Sequence, residues 1–375
     1  MAQLIYADNA ATTKLDIDAF EAMQPFLLDQ YANASQPYSF SRTAKDALKR
    51  AREIIATCIN AEPEEVYFTS GGTESDNWAI KGSMTHGNHH MVITSEFEHH
   101  AVLHACGRIE SFGYPVAYLH PTKEGFVTPE ILSSMITDST KLVSIMMVNN
   151  EIGTIQPIKE LCAVSHEHGA LFHTDAVQAL GHVTVDVKDL GIDMLSCSAH
   201  KFNGPKGIGF LYVKKGTVLP PYEDGGAQEY GMRAGTENIA SIVGMAVALK
   251  KNVATISENR EHLKRLERVI LDKLYSERVD FIRNGAEPYA PGNMSLSFAG
   301  VEGEMLLHRL DLMGIMVSTG SACDSKNTQI SHVLSAINAP KKYALGTIRI
   351  SLGKDNTTDE AIRIAECLTK ILIKR

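Results

Sequence analysis

Lys201 closes the apolar run of MLSCSAHKFNGPKGIGFLYV, which passes through Ser198 and His200 to the amine and then breaks into glycines and Pro205. That order puts an amine at the carboxyl end of a buried strand, where an open α/β sheet holds its ligand. A partly desolvated lysine has the lowered pKa that Schiff-base chemistry requires, and a strongly hydrated ammonium has little other reason to sit against a core strand. Four more segments show an apolar run followed by a polar residue of ligand type. EVYFTS leads into Gly71, Gly72 and Thr73, MVITSEFE into His99, LVSIMMVN into Asn150, and ALFHT into Asp175, with Gln178 three residues on. Ser70-Gly71-Gly72-Thr73 reads as a strand-to-helix turn that offers backbone N–H groups and a hydroxyl to an anion such as phosphate. An aspartate beside a Schiff-base lysine is what keeps a pyridine nitrogen protonated. Taken singly, these residues also read as a surface lysine, a tight turn and a helix cap. Taken together, an amine, a pyridinium partner, a phosphate cradle and an imidazole describe a pyridoxal phosphate site.

The elements that must position these residues follow from the same runs. Each is four to eight residues long and rich in Val, Ile, Leu, Met or Phe, as strands buried on both faces are. Stretches of helical periodicity such as PIKELCAVSHEHGA lie between them. Alternating strands and helices imply a mostly parallel sheet with helices on both sides, whose carboxyl-end loops converge on one crevice. The alternation stops after YGMRAGTEN. A long helical stretch then runs through ASIVGMAVALKK to REHLKRLERVILDKLYSE and reads as an amphipathic helix crossing to a second unit. That unit ends in a helix opened by Thr357 and Glu360 as a capping box. A length of 375 residues suits one large domain and one small one.

Composition narrows the function classes. A net charge of −8 with no basic tract argues against nucleic acid as a partner. MAQLIYADNAATT has neither a charged lead nor a long apolar core, and no apolar run approaches the roughly 18 residues of a membrane span. The six cysteines include no C-x-x-C spacing, so neither a zinc ribbon nor a disulfide framework is indicated, and residence in the cytoplasm is expected. Among the fifteen histidines, the pairs His89-His90, His99-His100 and His166/His168 lack partners at ligand spacing, so no bound metal is expected.

The chain resembles the cysteine desulfurases, fold-type I pyridoxal phosphate enzymes of the class V aminotransferase group, in the subgroup that serves iron–sulfur cluster assembly and thiolation. The likeness is carried nearly end to end, in order, by YADNAATT, FTSGGTESDNWAIKG, EHHAVLHAC, VNNEIGTIQPI, HTDAVQALG, SAHKFNGPKGIGFLYV, GMRAGTEN, STGSAC and IRISLG. It implies a seven-stranded, mostly parallel sheet flanked by helices in a large cofactor-binding domain, residues 13–258. Residues 1–12 and 259–375 are then a smaller α+β domain. By the resemblance, Lys201 bonds the cofactor and later shuttles protons, Asp175 pairs with the pyridine nitrogen, His99 stacks on the ring, and Gln178 donates to its phenolic oxygen. Gly72, Thr73, Ser198 and His200 match phosphate contacts. Thr236 matches a threonine that reaches the neighbouring subunit's phosphate, which implies a homodimer with composite sites. Asn150 matches an asparagine near cofactor and substrate, and Asn33 and Arg349 match the groups that hold the substrate carboxylate, a task suited to the planar arginine fork. Without the family, Arg349 reads as a strand-end arginine facing water.

Cys323 is the residue that turns such a site toward sulfur. It lies in STGSACDSKN, a polar, glycine-bearing stretch expected to be a loop, whereas Cys58, Cys106, Cys162, Cys197 and Cys367 sit in apolar runs or helical patterns as small hydrophobes. The expected reaction converts L-cysteine to L-alanine and leaves a persulfide on Cys323 for a sulfur-acceptor protein. The alternative is a selenocysteine lyase or another class V lyase. Departures from the family pattern are Tyr38 and Ser41 in place of a histidine and a glycine, Ala227 for a glycine, Tyr230 for an arginine, and Asp324, Lys326 and Asn327 after the nucleophile.

Overall fold

Branched and aromatic side chains suit a sheet covered on both faces, and the apolar runs become strands accordingly. The computed structural model describes residues 4–84, 90–319 and 330–373. After the short β1 (Ile5–Tyr6) come β2 (Val66–Thr69), β3 (Met91–Ser95), β4 (Val116–Leu119), β5 (Thr140–Ser144), β6 (Leu171–Asp175), β7 (Met194–Ser198) and β8 (Gly209–Val213). Strands β2 to β8 form one seven-stranded sheet in the order β2-β8-β7-β6-β5-β3-β4. Only β8 runs antiparallel to its neighbours, so the sheet is mostly parallel, as expected. Helices flank it, the first four being α1 (Ile17–Leu28), α2 (Arg42–Ile59), α3 (Gly72–Ser83) and α4 (His100–Glu110).

Period-two alternation assigns successive strand residues to opposite faces. Ile93, Val143, Leu195 and Phe210 join one buried cluster with Ile55, Phe172 and Met245. Their neighbours Val92, Leu142, Met194 and Leu211 join another with Trp78 and Val102. Because β3, β5, β6 and β7 are parallel neighbours, their carboxyl ends share one edge, and the residues that follow them emerge side by side.

The second unit is an antiparallel sheet of β9 (Phe281–Arg283), β10 (Asn293–Phe298) and β12 (Thr347–Ser351), with β11 (Ile315–Met316) paired in parallel to β1. Ile5 and Ala7 share its core with Leu296, Phe298, Ile348, Ile350, Ile364 and Leu368. The expected single crossing helix is in fact two, Ile239–Ala254 and Ile256–Ser276, bent by 70° at Thr255. The first packs on α1 and α2 against the large sheet, and the stripe Leu263, Leu266, Ile270 and Leu274 of the second enters the other core. A straight rod would not serve both. The last helix opens as expected: Glu360 N donates to Thr357 Oγ1 (3.2 Å) and Thr357 N to Glu360 Oε2 (3.0 Å). No single helix among the described residues is long and apolar enough to cross a membrane.

One buried ion pair shapes the loop that carries Thr236. Arg52 of α2 donates to both carboxylate oxygens of Glu229 (2.8 and 2.7 Å), and Phe68 N donates to Glu229 Oε2 (2.9 Å). The guanidinium lies between the rings of Phe68 and Tyr230, 4.5 and 5.3 Å from their centroids. Glu229 and Tyr230 both adopt left-handed backbone (φ 46° and 59°), a conformation that persists in such residues only when surroundings over-determine it. Arg52→Ala is expected to lower stability by about 3–5 kcal/mol, because it leaves a buried carboxylate without its cation. The fall should be visible in the midpoint of urea unfolding, and an unchanged midpoint would contradict it.

Candidate active site

Strand β7 ends at Ser198 and passes into one 3₁₀ turn, Ala199–Lys201. Gly204 N closes the turn onto Ala199 O (2.9 Å), and a Cβ on Gly204 would lie 2.8 Å from that oxygen, so glycine is required. The Lys201 ammonium donates to the carbonyls of Ala10 (2.6 Å) and Ala11 (2.8 Å), and Gln178 Nε2 donates to Ala10 as well (2.9 Å). His200 Nδ1 meets Thr12 Oγ1 at 3.1 Å, and the amide and hydroxyl of Thr13 both donate to the His200 carbonyl (2.9 Å each). Residues Ala10 to Thr13 are thereby strapped along the turn that bears Lys201.

Asp175 is the last residue of β6 and is 5% exposed, with Oδ1 accepting from Val177 N (2.9 Å). Burial pushes its carboxyl upward, while the charges of His99 and Lys201 pull it down. His99 caps α4 by accepting from Ala101 N at Nδ1 (3.2 Å), which assigns its proton to Nε2. Burial holds the imidazole below its ordinary pKa and Lys201 lowers it further, with Asp175 opposing. Three groups from the ends of β3, β6 and β7 therefore feel one another's charge. Burial, with the nearby Lys201, also takes His200 down to about 4, so it is neutral near pH 7.

The turn expected to cradle an anion lies at the start of α3. Gly71 (φ 150°) caps α3 with no side chain to satisfy the first-turn N–H groups, which have no intrahelical acceptor. A Cβ on Gly72 would lie 2.5 Å from Val177 Cγ2, and one on Gly209 would lie 2.7 Å from Gly71 Cα. One on Gly71 would stand 3.4 Å from Ser198 Oγ. Glycines thus let the helix start touch the ends of β6, β7 and β8, gathering the amides of Gly72 and Thr73 beside the Ser198 hydroxyl. This is the donor set of a phosphate site, and with Asp175, Lys201 and Gln178 nearby it fits pyridoxal phosphate. Thr236 shares a cavity of about 80 Å³ with Thr69 and Ser70.

Arg349 does not face water. It lies in β12 at 5% exposure, donating from Nη1 to the Asn150 carbonyl (2.9 Å) and from Nη2 to Asp8 Oδ1 (2.8 Å). The strand pairing of the second unit turns it inward, toward the loop after β5. Asn33 is used locally, its Oδ1 accepting from Ser35 N (2.8 Å), and no hydrogen bond joins it to Arg349. Ser41 Oγ donates to the carbonyls of Gln36 (2.6 Å) and Tyr38 (2.7 Å), which holds the turn where the family often has glycine. Cys323, like Asp324, Lys326 and Asn327, lies outside the described residues.

Some residues around the site left little trace in the sequence. The Ala10 and Ala11 carbonyls are backbone groups, flagged only by the block YADNAATT. His173, within ALFHT, bonds Ser144 Oγ (2.8 Å) and Ser196 Oγ (2.9 Å) and is pushed by burial down to about 3. Its Nε2 stands 3.7 Å from the fully buried Asp76, whose carboxyl burial and the charge of Asp175 push well up. Glu98, directly before His99, is buried as an acceptor from Ser95 Oγ (2.5 Å) and Met146 N, and burial raises it to about 8. Only His173, a polar residue inside the apolar run ALFHT, has any sequence signal, since Asp76 and Glu98 lie in polar stretches that read as exposed.

A family model described as aminotransferase class-V matches residues 5–364. The model's class agrees with a mostly parallel sheet bearing a lysine at a strand's carboxyl end. Among curated proteins, the chain is 46% identical to a "Cysteine desulfurase IscS" of Dictyoglomus turgidum, over all of this chain and 96% of that one. It is 45% identical to a "Cysteine desulfurase IscS" of Methanosarcina thermophila, over 99% of this chain and 92% of that one. Among solved structures it is similar to one titled "NIFS-LIKE PROTEIN", with TM-score 0.94 and 35% identity over the whole of both chains. Another is titled "SspA in complex with cysteine", with TM-score 0.84 and 37% identity over 94% of this chain and all of that one. The chain belongs to the cysteine desulfurase family of the class-V aminotransferases.

The buried Glu98 makes stability depend on pH in a defined sense. Its folded pKa, about 8, is above the ordinary 4.5, so between these values the unfolded chain ionises first and folding is penalised increasingly as pH rises. Glu98→Gln removes that dependence. Its urea midpoint, relative to the parent protein, is expected to improve steadily from about pH 5 to about pH 8, and a flat difference would refute the assignment.

Proposed function

We propose that this chain is a pyridoxal phosphate-dependent cysteine desulfurase that converts L-cysteine to L-alanine and passes the sulfur through a persulfide on Cys323 to an acceptor protein. The observation that carries the reading is the convergence of Lys201, Asp175 and His99 at the carboxyl ends of β7, β6 and β3, beside a helix start without a side-chain cap. The full-length likeness to proteins named cysteine desulfurase supports the reaction, and the relative solved with cysteine supports the substrate. Residues 13–258 form the cofactor-binding domain in this reading, and residues 1–12 with 259–375 the domain that carries Cys323. The subunits form a homodimer in which Thr236 serves the partner's site.

The residues divide the work. Lys201 would hold the cofactor covalently, Asp175 would pair with its ring nitrogen, Gln178 with its phenolic oxygen, and the amides of Gly72 and Thr73 with Ser198 and His200 would hold its phosphate. When bound, pyridoxal phosphate supplies an electron sink for the bonds around the substrate's α-carbon. Arg349, with Asn33 and Asn150, binds the substrate carboxylate and orients the amino acid. The Lys201 amine, once free, moves the proton at the α-carbon. His99 would lie beside the cofactor ring with its single proton at Nε2, and burial disfavours a second proton on the imidazole. The Cys323 thiolate attacks the sulfur of cysteine. The S–S bond forms as the carbon–sulfur bond breaks, and protonation of the β-carbon yields alanine.

Purified protein is expected to be yellow, with borohydride fixing the cofactor to the Lys201 peptide and Lys201→Ala abolishing the adduct. Cys323→Ser should retain the cofactor yet lose alanine release by at least about 10³-fold, the scale of deleting a nucleophile, because a hydroxyl is hardly ionised where a thiol already is in part. Normal alanine release by that variant, or a persulfide on another cysteine in the mass spectrum, would overturn the reading.

A further inference from the structure

Strand β2 is an edge of the large sheet and pairs on one side only, with β8. Its outer backbone groups are met by side chains instead of a strand. Arg52 donates to the carbonyl of Val66, Phe68 N donates to Glu229 Oε2 (2.9 Å), and Ser70 N donates to Glu74 Oε2 (2.9 Å). Each carboxylate is held in turn by an arginine at both oxygens. Arg52 holds Glu229, and Arg233 holds Glu74 through Nε to Oε1 (2.9 Å) and Nη2 to Oε2 (3.2 Å). The second clamp ends on the turn that opens α3, and its arginine comes from the block GMRAGTEN, three residues before Thr236.

Glu74 stands in the first turn of α3, directly after Gly72 and Thr73, whose amides are proposed to hold the phosphate. A helix start favours any anion, so a carboxylate there competes with a bound phosphate for the same amides and repels it. Glu74 does carry that charge near pH 7. Burial raises its carboxyl, but the bonds from Arg233 and Ser70 outweigh burial and hold it below the ordinary value. Arg233 answers both effects. It offsets the charge, and its planar fork keeps the carboxylate on Ser70 N rather than on the amides that follow. The two side chains are only 22% and 9% exposed, so salt screens the pair little. On the outer side the half-exposed Glu223 lies 3.7 Å from the same Arg233 nitrogen.

We propose that Arg233 is a positioning residue for the cofactor's phosphate, which pairs with Glu74 and so keeps the carboxylate at the start of α3 from opposing the phosphate that binds there. Arg233 acts through Glu74. Its effect therefore vanishes when that carboxylate is replaced by the isosteric amide, which still accepts from Ser70 N. The role concerns the phosphate alone, so a ligand with the same ring and aldehyde but no phosphate does not feel it.

The inference rests on the functional reading above, and the test separates the two. The full-length parent, Arg233→Ala, Arg233→Lys, Glu74→Gln and the Arg233→Ala, Glu74→Gln double variant are stripped of cofactor and titrated with pyridoxal phosphate and with pyridoxal, binding being read from the absorbance of the adduct. Arg233→Ala should bind pyridoxal phosphate at least about tenfold more weakly, the scale on which a like charge left beside an anion acts, and pyridoxal within about twofold of the parent. Glu74→Gln should bind pyridoxal phosphate as well as the parent or better. Arg233→Lys, which keeps the charge, should lose less than Arg233→Ala, and the double variant should recover most of what Arg233→Ala loses. Equal affinity of Arg233→Ala and the parent for pyridoxal phosphate overturns the inference. So does a double variant as weak as Arg233→Ala, or a parallel loss for pyridoxal, since either marks a merely structural role for the loop. Where Arg233→Ala does not fold, Arg233→Gln takes its place with the same expected results. A parent that binds no pyridoxal phosphate overturns both readings, whereas one that binds it and releases no alanine from cysteine overturns the desulfurase reading alone.

Discussion

The carbonyl of Ala10 is where the molecule's two units meet around one amine. It accepts from both Lys201 Nζ and Gln178 Nε2, two side chains of the large sheet's edge, yet it belongs to a segment that begins as β1 in the second unit. Two residues earlier, Asp8 takes the guanidinium of Arg349. Five residues on from Asp8, Thr13 bonds the His200 carbonyl. A stretch of six residues thus relates the lysine end of the site to its arginine end. Asp16 extends the connection, pairing with Lys251 (3.0 Å) on the large unit's side and with Lys354 (3.1 Å) on the other.

Close backbone approach makes the rest of the site possible. The turn at Gly71, the start of β8 at Gly209 and the side chain of Val177 occupy space that a single Cβ would take from them. Helix α3 can therefore begin directly against the carboxyl ends of β6 and β7, with its positive end toward the edge that carries Asp175 and Ser198. The glycines act by what they leave out, and their cost in chain entropy is set against a contact that larger residues forbid.

Electrostatics beneath the site follow from burial more than from pairing. Asp76 and Glu98 lie in the interior with Asp175, and burial pushes the carboxyls of all three upward. Asp175 alone of the three also has both His99 and Lys201 to favour its ionised form. Burial favours the neutral acid at Asp76 and Glu98, which lessens the cost of placing charges side by side in the interior. His173, kept neutral by burial, bridges the serines of β5 and β7 across this layer.

Residue type and local pattern were enough for the strands β2, β3, β5, β6 and β7, the glycine turn, the capping box at Thr357 and the placement of Lys201, His99 and Asp175 at strand ends, because these depend on neighbours within a few positions. The pairing of strands into one parallel edge then brought those ends together with little further information. What the tertiary structure decided was every contact between distant segments. By local pattern alone, without the family likeness, Arg349 reads as an exposed strand end until β12 pairs with β10 and turns its side chain onto Asn150 and Asp8. The helical stretch from Ile239 to Ser276 reads as one helix until two separate cores each claim half of it. Ala10 and Ala11 carry no signal of their own, since a carbonyl has no residue identity. Their roles arise only when the chain's first residues, its central sheet and its last strands are folded against each other, which is long-range packing that no local periodicity encodes.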